Sequence, residues 1–315
     1  MTKRIIRIDA SALKQSQCFL RFWNIVIEGY KEPIVNNDIQ YGTAVHKFIS
    51  TMMETGNIQQ AYKDAEAAYS IPMRWKPKKH FMDVKHLKQT CFYLWESFIS
   101  TESQFEIVQY EKDDKLVPAI EVNFALPYYT DDIIEVLLCG TIDQIGKIKN
   151  GNFALRDFKT TSSWNQTEYL DGYELDPQLI FYKLCLQLFS KLYPSSTLGK
   201  IGATPLNGFI DGIFLKPDAT KLECKRSKIF DIRQPLVDEM KMLIDYMIKK
   251  VSDHLAFSTT GYCIRDGILN GSCNTKFGPC MFTQVCASPD DIAKEFFLKK
   301  FIKREYNPLA FGKIE

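Results

Sequence analysis

The chain has 315 residues, 45% of them hydrophobic and 25% charged, a usage that excludes disordered, collagen-like and fibrous chains. Forty Lys and Arg against 38 Asp and Glu leave a formal net charge of +2. That excludes a uniformly basic polyanion binder, so any positive charge that serves nucleic acid has to be local.

The length suits about two domains, or one domain with a large insertion, and a core that needs no disulfides. The start, Met1 to Ile8, is basic and has no long apolar segment of the secretory type. No stretch approaches the ~18 apolar residues of a membrane span. A cytoplasmic, reducing setting without membrane partners is expected, where nine cysteines point to metal or catalysis rather than to disulfides.

In chain order, residues 9–30 are expected to be helical, with Asp9 or Ser11 as cap and Leu13, Cys18, Phe19, Phe22 and Trp23 as the apolar positions. Tyr41, Val45, Phe48, Ile49 and Met52 predict a second helix over 41–54. Residues 58–101 are read as a helical insertion broken around Pro72 and Pro77. Apolar runs at 104–110, 119–126, 133–146 and 152–159, separated by turn-formers, predict a strand meander. Asp176-Pro177-Gln178 starts a helix, with Asp176 as N-cap and Pro177 at the first position. Its apolar run from Leu179 to Leu192 is nearly continuous around the helix, which predicts burial. Further strands are expected at 207–215 and 221–231, and a helix at 235–256. The tail from Tyr262 holds four of the cysteines and little periodic pattern. The order predicts an α/β fold with a mixed sheet, divided as 1–40, 41–256 and 257–315.

The chemistry centres on Gly140-Thr141-Ile142-Asp143 and Arg156-Asp157-Phe158-Lys159-Thr160. Asp157 and Lys159, two apart on a strand, share a face. A three-residue loop Lys149-Asn150-Gly151 with Gly151 in the left-handed conformation pairs Asp143 with Asp157. A two-residue Asn150-Gly151 turn would pair Gln144 with Asp157 and send Asp143 to the other face. We expect the three-residue loop. Two carboxylates and an ammonium on one face suit a hard divalent cation, Mg²⁺ or Mn²⁺, which polarises a phosphoryl oxygen and acidifies a bound water. Lys159 would then orient that water or steady charge on the phosphate. The bland alternative is a surface hairpin whose Asp–Lys pair is worth about 0–1 kcal/mol.

These motifs resemble the RecB-like branch of the PD-(D/E)XK nuclease superfamily. Gly42-Thr43-Ala44-Val45-His46 is similar to its Gly-x-x-x-His motif, and Gln178-Leu179-Ile180-Phe181-Tyr182 to its Gln-x-x-x-Tyr motif. All four motifs stand in family order over residues 42–182. The resemblance implies a restriction-endonuclease-like mixed sheet flanked by helices. It implies His46 as a further metal ligand beside Asp143, Asp157 and the Phe158 carbonyl. Gln178 and Tyr182, at i and i+4 on one helix face, would contact DNA or order the catalytic groups. Position 157 is Asp where many members carry Glu, which shortens the reach to metal. Glu121, in a strand whose counterpart is often acidic, is read as a support residue and not as a ligand.

Cys273, Cys280 and Cys286 lie in one Gly/Pro-containing stretch. With Cys18 they resemble the cysteine set of iron–sulfur RecB-like nucleases, which implies a 4Fe–4S cluster that staples the two chain ends together. Zinc on four cysteines is the alternative. Cys91, Cys139, Cys185 and Cys224 are read as small core residues. Arg74, Trp75, Lys76, Lys78 and Lys79 interleave cations with an aromatic ring, a pattern suited to single-stranded DNA. Lys221, Lys225, Arg226 and Lys228 form a second basic group. The third comprises Lys294, Lys299, Lys300, Lys303 and Arg304. The family implies a DNA exonuclease acting on single strands or resected ends in repair, recombination or phage replication, with a helicase or recombination partner. The alternative is a DNA-binding or assembly module that keeps the fold without turnover.

Overall fold

The computed structural model describes residues 3–33, 37–69, 82–163, 165–257, 265–268, 270–275 and 278–310. Arg74, Trp75, Lys76, Lys78 and Lys79 lie outside the described residues, as does Cys263. The chain divides into two compact units. One comprises 35–122 and 141–237, the other 1–34, 123–140 and 238–315.

The first unit begins with helices α1 (Asn37–Thr55), α2 (Ile58–Ala68) and α3 (Val84–Ser97). Strand β1 (Phe105–Ile107) follows, and β2 (Ile120–Thr130) starts in this unit and leaves it after Val122. Strand β3 (Ile134–Ile148) enters the unit at Thr141, and β4 (Phe153–Thr161) returns beside it. Then come α4 (Gln166–Asp171), α5 (Pro177–Leu192), β5 (Leu206–Phe214), β6 (Glu223–Arg226) and β7 (Phe230–Asp231). The sheet is mixed: β4 is antiparallel to β3 and parallel to β5, and β5 is antiparallel to β6 and β7.

The β3–β4 hairpin has the expected three-residue loop. The Gly151 N–H donates to the Ile148 carbonyl at 2.8 Å, and Gly151 sits at φ +85°, a left-handed backbone that glycine adopts without a side-chain clash. The register runs from Lys147↔Phe153 to Gln144↔Arg156, the offset that the three-residue loop predicts, and Asp143 and Asp157 are the first residues beyond its last pair.

The three helices α1 to α3 pack through Tyr41, Phe48, Ile49, Leu87 and Leu94 onto Phe158, Ile213 and Leu215 of the sheet. Burial of such side chains contributes roughly 1.5–3 kcal/mol each. On the opposite face, α5 starts as expected: the Asp176 carboxylate accepts from the Gln178 N–H at 2.6 Å and Pro177 opens the first turn. Its residues Leu179 through Leu186 are all buried, including Lys183, whose ammonium donates to the Ile232 carbonyl.

In the second unit, strand Arg4–Ile8 runs parallel to residues 134–138. The expected single helix over 9–30 is broken. Helix Ala10–Gln15 ends where the Ser16 hydroxyl turns back to the Leu13 carbonyl, and Cys18 is extended (φ −137°) before the short helix Phe19–Phe22 and a π-helical turn over Trp23–Ile27. A side chain that competes for backbone carbonyls favours such an interruption. Helix Gln234–Phe257 matches the expected span. Near the end of the chain, Ile302–Lys303 pairs with Tyr30–Lys31. No helix among the described residues is long and apolar enough to cross a membrane.

Candidate active site

The site forms where the β3–β4 ladder stops. Its last paired residues are Gln144 and Arg156. In a continuing ladder the Phe158 N–H would reach the Ile142 carbonyl. Instead it donates to the Asp143 Oδ2 at 2.9 Å. The carboxylate replaces a backbone acceptor, which fixes its position against β4.

Helix α1 supplies His46. Gly42, one turn earlier, faces the Thr160 hydroxyl so closely that a Cβ would stand 2.9 Å from it. The small residue lets the helix approach the strand end, and the His46 Nδ1 reaches Asp143 Oδ2 at 3.3 Å. Glu121 completes a trio. One ligand-type atom from each of His46, Glu121 and Asp143 lies within 4.8 Å of the others. Glu121 has a left-handed backbone, φ +48°, at the start of β2, where a side chain is strained. The Ala119 N–H donates to the Val108 carbonyl, and the Ala119 carbonyl accepts from the Ile145 N–H. These bonds hold the backbone just before the strained residue.

Asp157 and Lys159 form a second group beside the trio. The Lys159 Nζ lies 2.5 Å from Asp157 Oδ2 and donates to the Gln178 Oε1 at 2.9 Å. The Gln178 Nε2 donates to Asp157 Oδ1 at 2.7 Å and to the Tyr182 hydroxyl at 3.0 Å. The Tyr182 hydroxyl in turn donates to the Thr141 carbonyl. One amide thus bridges acid, ammonium and phenol, which accounts for Gln and Tyr at i and i+4. The trio does not include Asp157: within the described residues its carboxylate is held by Lys159 and Gln178.

The electrostatics are those of crowded carboxylates. Burial, then the neighbouring Asp143 charge, raises Glu121 to about 7. Burial raises Asp157 to about 6, with Asp143 adding to it and Lys159 opposing. Asp143 is lowered despite burial because His46 and Lys159 stand beside it and the Phe158 N–H binds it. Burial opposes the charge on His46, but the Asp143 carboxylate outweighs it and raises the imidazole to about 9. Burial likewise opposes the Lys159 ammonium, and Asp157 and Asp143 raise it to about 12. Three carboxylates against two cations leave an excess negative charge in a buried place. Hard oxygen donors with one imidazole fit a divalent cation of the Mg²⁺ or Mn²⁺ kind.

Behind β4, on the face opposite Asp157 and Lys159, lies a network that sequence reading missed. Arg156 is 1% exposed and Asp211 0%. The Arg156 Nε donates to Asp211 at 2.5 Å, and Arg226 grips both Asp211 oxygens at 2.9 Å. Glu102 meets both guanidinium groups, and Arg156 also donates to the Gln144 side-chain Oε1 at 3.2 Å. Arg226, grouped by sequence with basic surface residues, therefore points into the protein. His86 is buried against Tyr41. Cys91, Cys139 and Cys185 are buried, as their positions in regular elements led us to expect, whereas Cys224 is half-buried at the margin of the core.

In the second unit Cys18, Cys273, Cys280 and Cys286 lie near one another. A Cβ on Gly267 would lie 3.2 Å from the Cys18 Sγ, and the Cys273 N–H donates to the Gly267 carbonyl. The Cys280 N–H donates to the Cys273 carbonyl at 2.7 Å. Burial first, then the neighbouring thiols, raises Cys273, and Cys286 is raised to about 11 by burial with the same neighbours contributing. Asn270 ties this tail to the N-terminal segment through the Gln17 carbonyl.

No curated protein matches the chain. Among solved structures, the crystal structure of SSO0001 is similar at 16% identity over 76% of this chain and 84% of that one, with a TM-score of 0.20, too slight a likeness to bear on the site. The model of the PD-(D/E)XK nuclease superfamily matches residues 10–247, a span that contains His46, Glu121, Asp143, Asp157, Lys159, Gln178 and Tyr182. The chain belongs to the PD-(D/E)XK nuclease superfamily.

Proposed function

We propose that the protein is a metal-dependent deoxyribonuclease of the RecB-like branch, an exonuclease acting on single-stranded or resected DNA ends. The observation that carries this reading is the convergence of His46, Glu121 and Asp143 beside the Asp157–Lys159–Gln178–Tyr182 chain. His46, Asp143, Asp157 and the Phe158 carbonyl would hold Mg²⁺ or Mn²⁺, with Glu121 as a further ligand. A bound divalent cation supplies polarisation of the scissile phosphate and a more acidic water. Lys159, held between Asp157 and Gln178, would steady charge on the phosphate or orient the attacking water. Gln178 holds the ammonium against Asp157, and Tyr182 anchors Gln178 to the Thr141 backbone.

Cys18, Cys273, Cys280 and Cys286 are assigned to a 4Fe–4S cluster that joins the two chain ends, with zinc as the rival occupant. Their approach from both ends of the chain supports this. The setting is repair, recombination or phage replication, beside a helicase or recombination partner.

The test is anaerobic purification followed by cleavage of 5′- and 3′-labelled single strands. Cleavage that requires Mg²⁺ or Mn²⁺, stops in EDTA and disappears in Asp157→Ala is expected. Equal cleavage by Asp157→Ala, or cleavage without divalent metal, would overturn the assignment. Absorbance near 400 nm (roughly, for cysteine-ligated iron) separates the cluster from zinc.

A further inference from the structure

The segment between β4 and α5 joins the strand of Asp157 and Lys159 to the helix of Gln178 and Tyr182. It consists of α4 and a 3₁₀ turn over Gly172–Leu175. Its position is set by Gly212 on β5, which stands in register with Lys159. A Cβ on Gly212 would meet the Leu170 Cδ2 at 3.0 Å. The segment therefore lies on the sheet face of Lys159, immediately beside it, seated by the buried Leu170. Tyr169 packs its ring on Phe214 at 5.7 Å, and Tyr173 stands edge-on to Tyr169 at 5.4 Å. Tyr173 is half-buried, and its carbonyl accepts from the N–H of Asp176, the cap of α5. The phenol is kept protonated by burial, by its bond with Tyr169 and by the nearby Asp176 and Asp157 charges.

The chemistry of the segment says which part of a nucleic acid it meets. Its exposed side chains include Glu168, Asp171 and Glu174, and it has no Lys or Arg between 165 and 176. Such a surface repels phosphate. Among its described residues, what it offers beside the acidic–lysine group is the neutral ring of Tyr173, with Leu175 59% exposed two residues on. A nucleobase next to the scissile phosphate has a matching neutral π-face, and it presents that face only when unstacked.

We propose that Tyr173 is a specificity-determining residue that stacks on the base flanking the scissile phosphate, selecting unstacked strands over duplex. This rests on the nuclease reading above. The test measures binding of two short fluorescent single strands with Ca²⁺ present, one intact and one with abasic sugars at its terminal positions. Wild-type protein is expected to prefer the intact strand by about tenfold, the scale of one base–aromatic stack. Tyr173→Ala is expected to abolish that preference, and Tyr173→Phe, which keeps the ring, to retain it. Tyr173→Ala with the wild-type preference, Tyr173→Phe as deficient as Tyr173→Ala, or a wild type that does not distinguish the strands would each overturn the proposal. Failure of the nuclease reading shows separately, as no Mn²⁺-dependent cleavage by the wild type, whatever the strand preference.

Discussion

Asp211→Asn tests the network behind the active strand. The carboxylate is 0% exposed and takes three hydrogen bonds, one from Arg156 and two from Arg226. With Glu102 the four charges balance. Asparagine keeps the shape but leaves two guanidinium groups sharing Glu102, one of them almost fully buried. Breaking a buried ion pair from one side costs about 3–5 kcal/mol, since a charge is left without a partner. In a chain of this size about 2 °C of Tm is lost per kcal/mol, so a drop of about 6–10 °C is expected by circular dichroism. Removing both partners in Arg156→Met/Asp211→Leu leaves Arg226 with Glu102 and restores neutrality. That double variant is expected to be more stable than Asp211→Asn, a non-additivity of at least about 1 kcal/mol. The exposed pair Lys249–Asp253 provides the contrast: Asp253→Asn should shift Tm by little, as exposed pairs contribute about 0–1 kcal/mol. If Asp211→Asn costs less than about 1 kcal/mol, the guanidinium groups are not confined as described and the reasoning fails.

Lys159→Ala should abolish cleavage while the protein stays folded and keeps the 400 nm band, read by end-labelled strands, circular dichroism and absorbance on the same sample. Glu121→Gln should weaken Mn²⁺ binding by at least about tenfold in calorimetric titration, since it removes one charged ligand; unchanged affinity would return Glu121 to a supporting role. The pH dependence has a definite sign. Asp157 and Glu121 are raised to about 6 and about 7, and His46 to about 9, so the metal-free fold holds extra protons and loses stability as pH rises from about 4 to 9. A divalent cation displaces those protons. The Tm gain on adding Mn²⁺ should therefore grow from pH 5 to pH 8, and a gain that shrinks over that interval would contradict the ligand set.

How much was legible in advance follows from the range of the forces involved. The hairpin loop could be read because Gly151 declares a left-handed residue within three positions of both strands. Asp176-Pro177 announced a helix start for the same local reason. Gln178 and Tyr182 share a face by helical spacing alone, and their partners Lys159 and Thr141 confirm the face. Glu121 was harder. Its side chain enters the trio through a positive φ that no local pattern around Ile120 and Val122 requires. The Arg156–Asp211 pair joins residues 55 positions apart, and Arg226 looked like surface charge because its acidic partners are distant in sequence. A bulky charged residue alternating with Asp157 on a strand, with Phe158 beside it, was the one available signal that Arg156 faces inward.

The central claim is that one divalent cation binds among His46, Glu121, Asp143 and Asp157. Crystals grown with Mn²⁺ and measured at the manganese absorption edge test it directly. A single strong anomalous peak within bonding reach of the His46 imidazole and the Asp143 and Glu121 carboxylates is predicted, and it should vanish in Asp143→Asn. No peak there, with manganese bound elsewhere on the chain, would contradict the account.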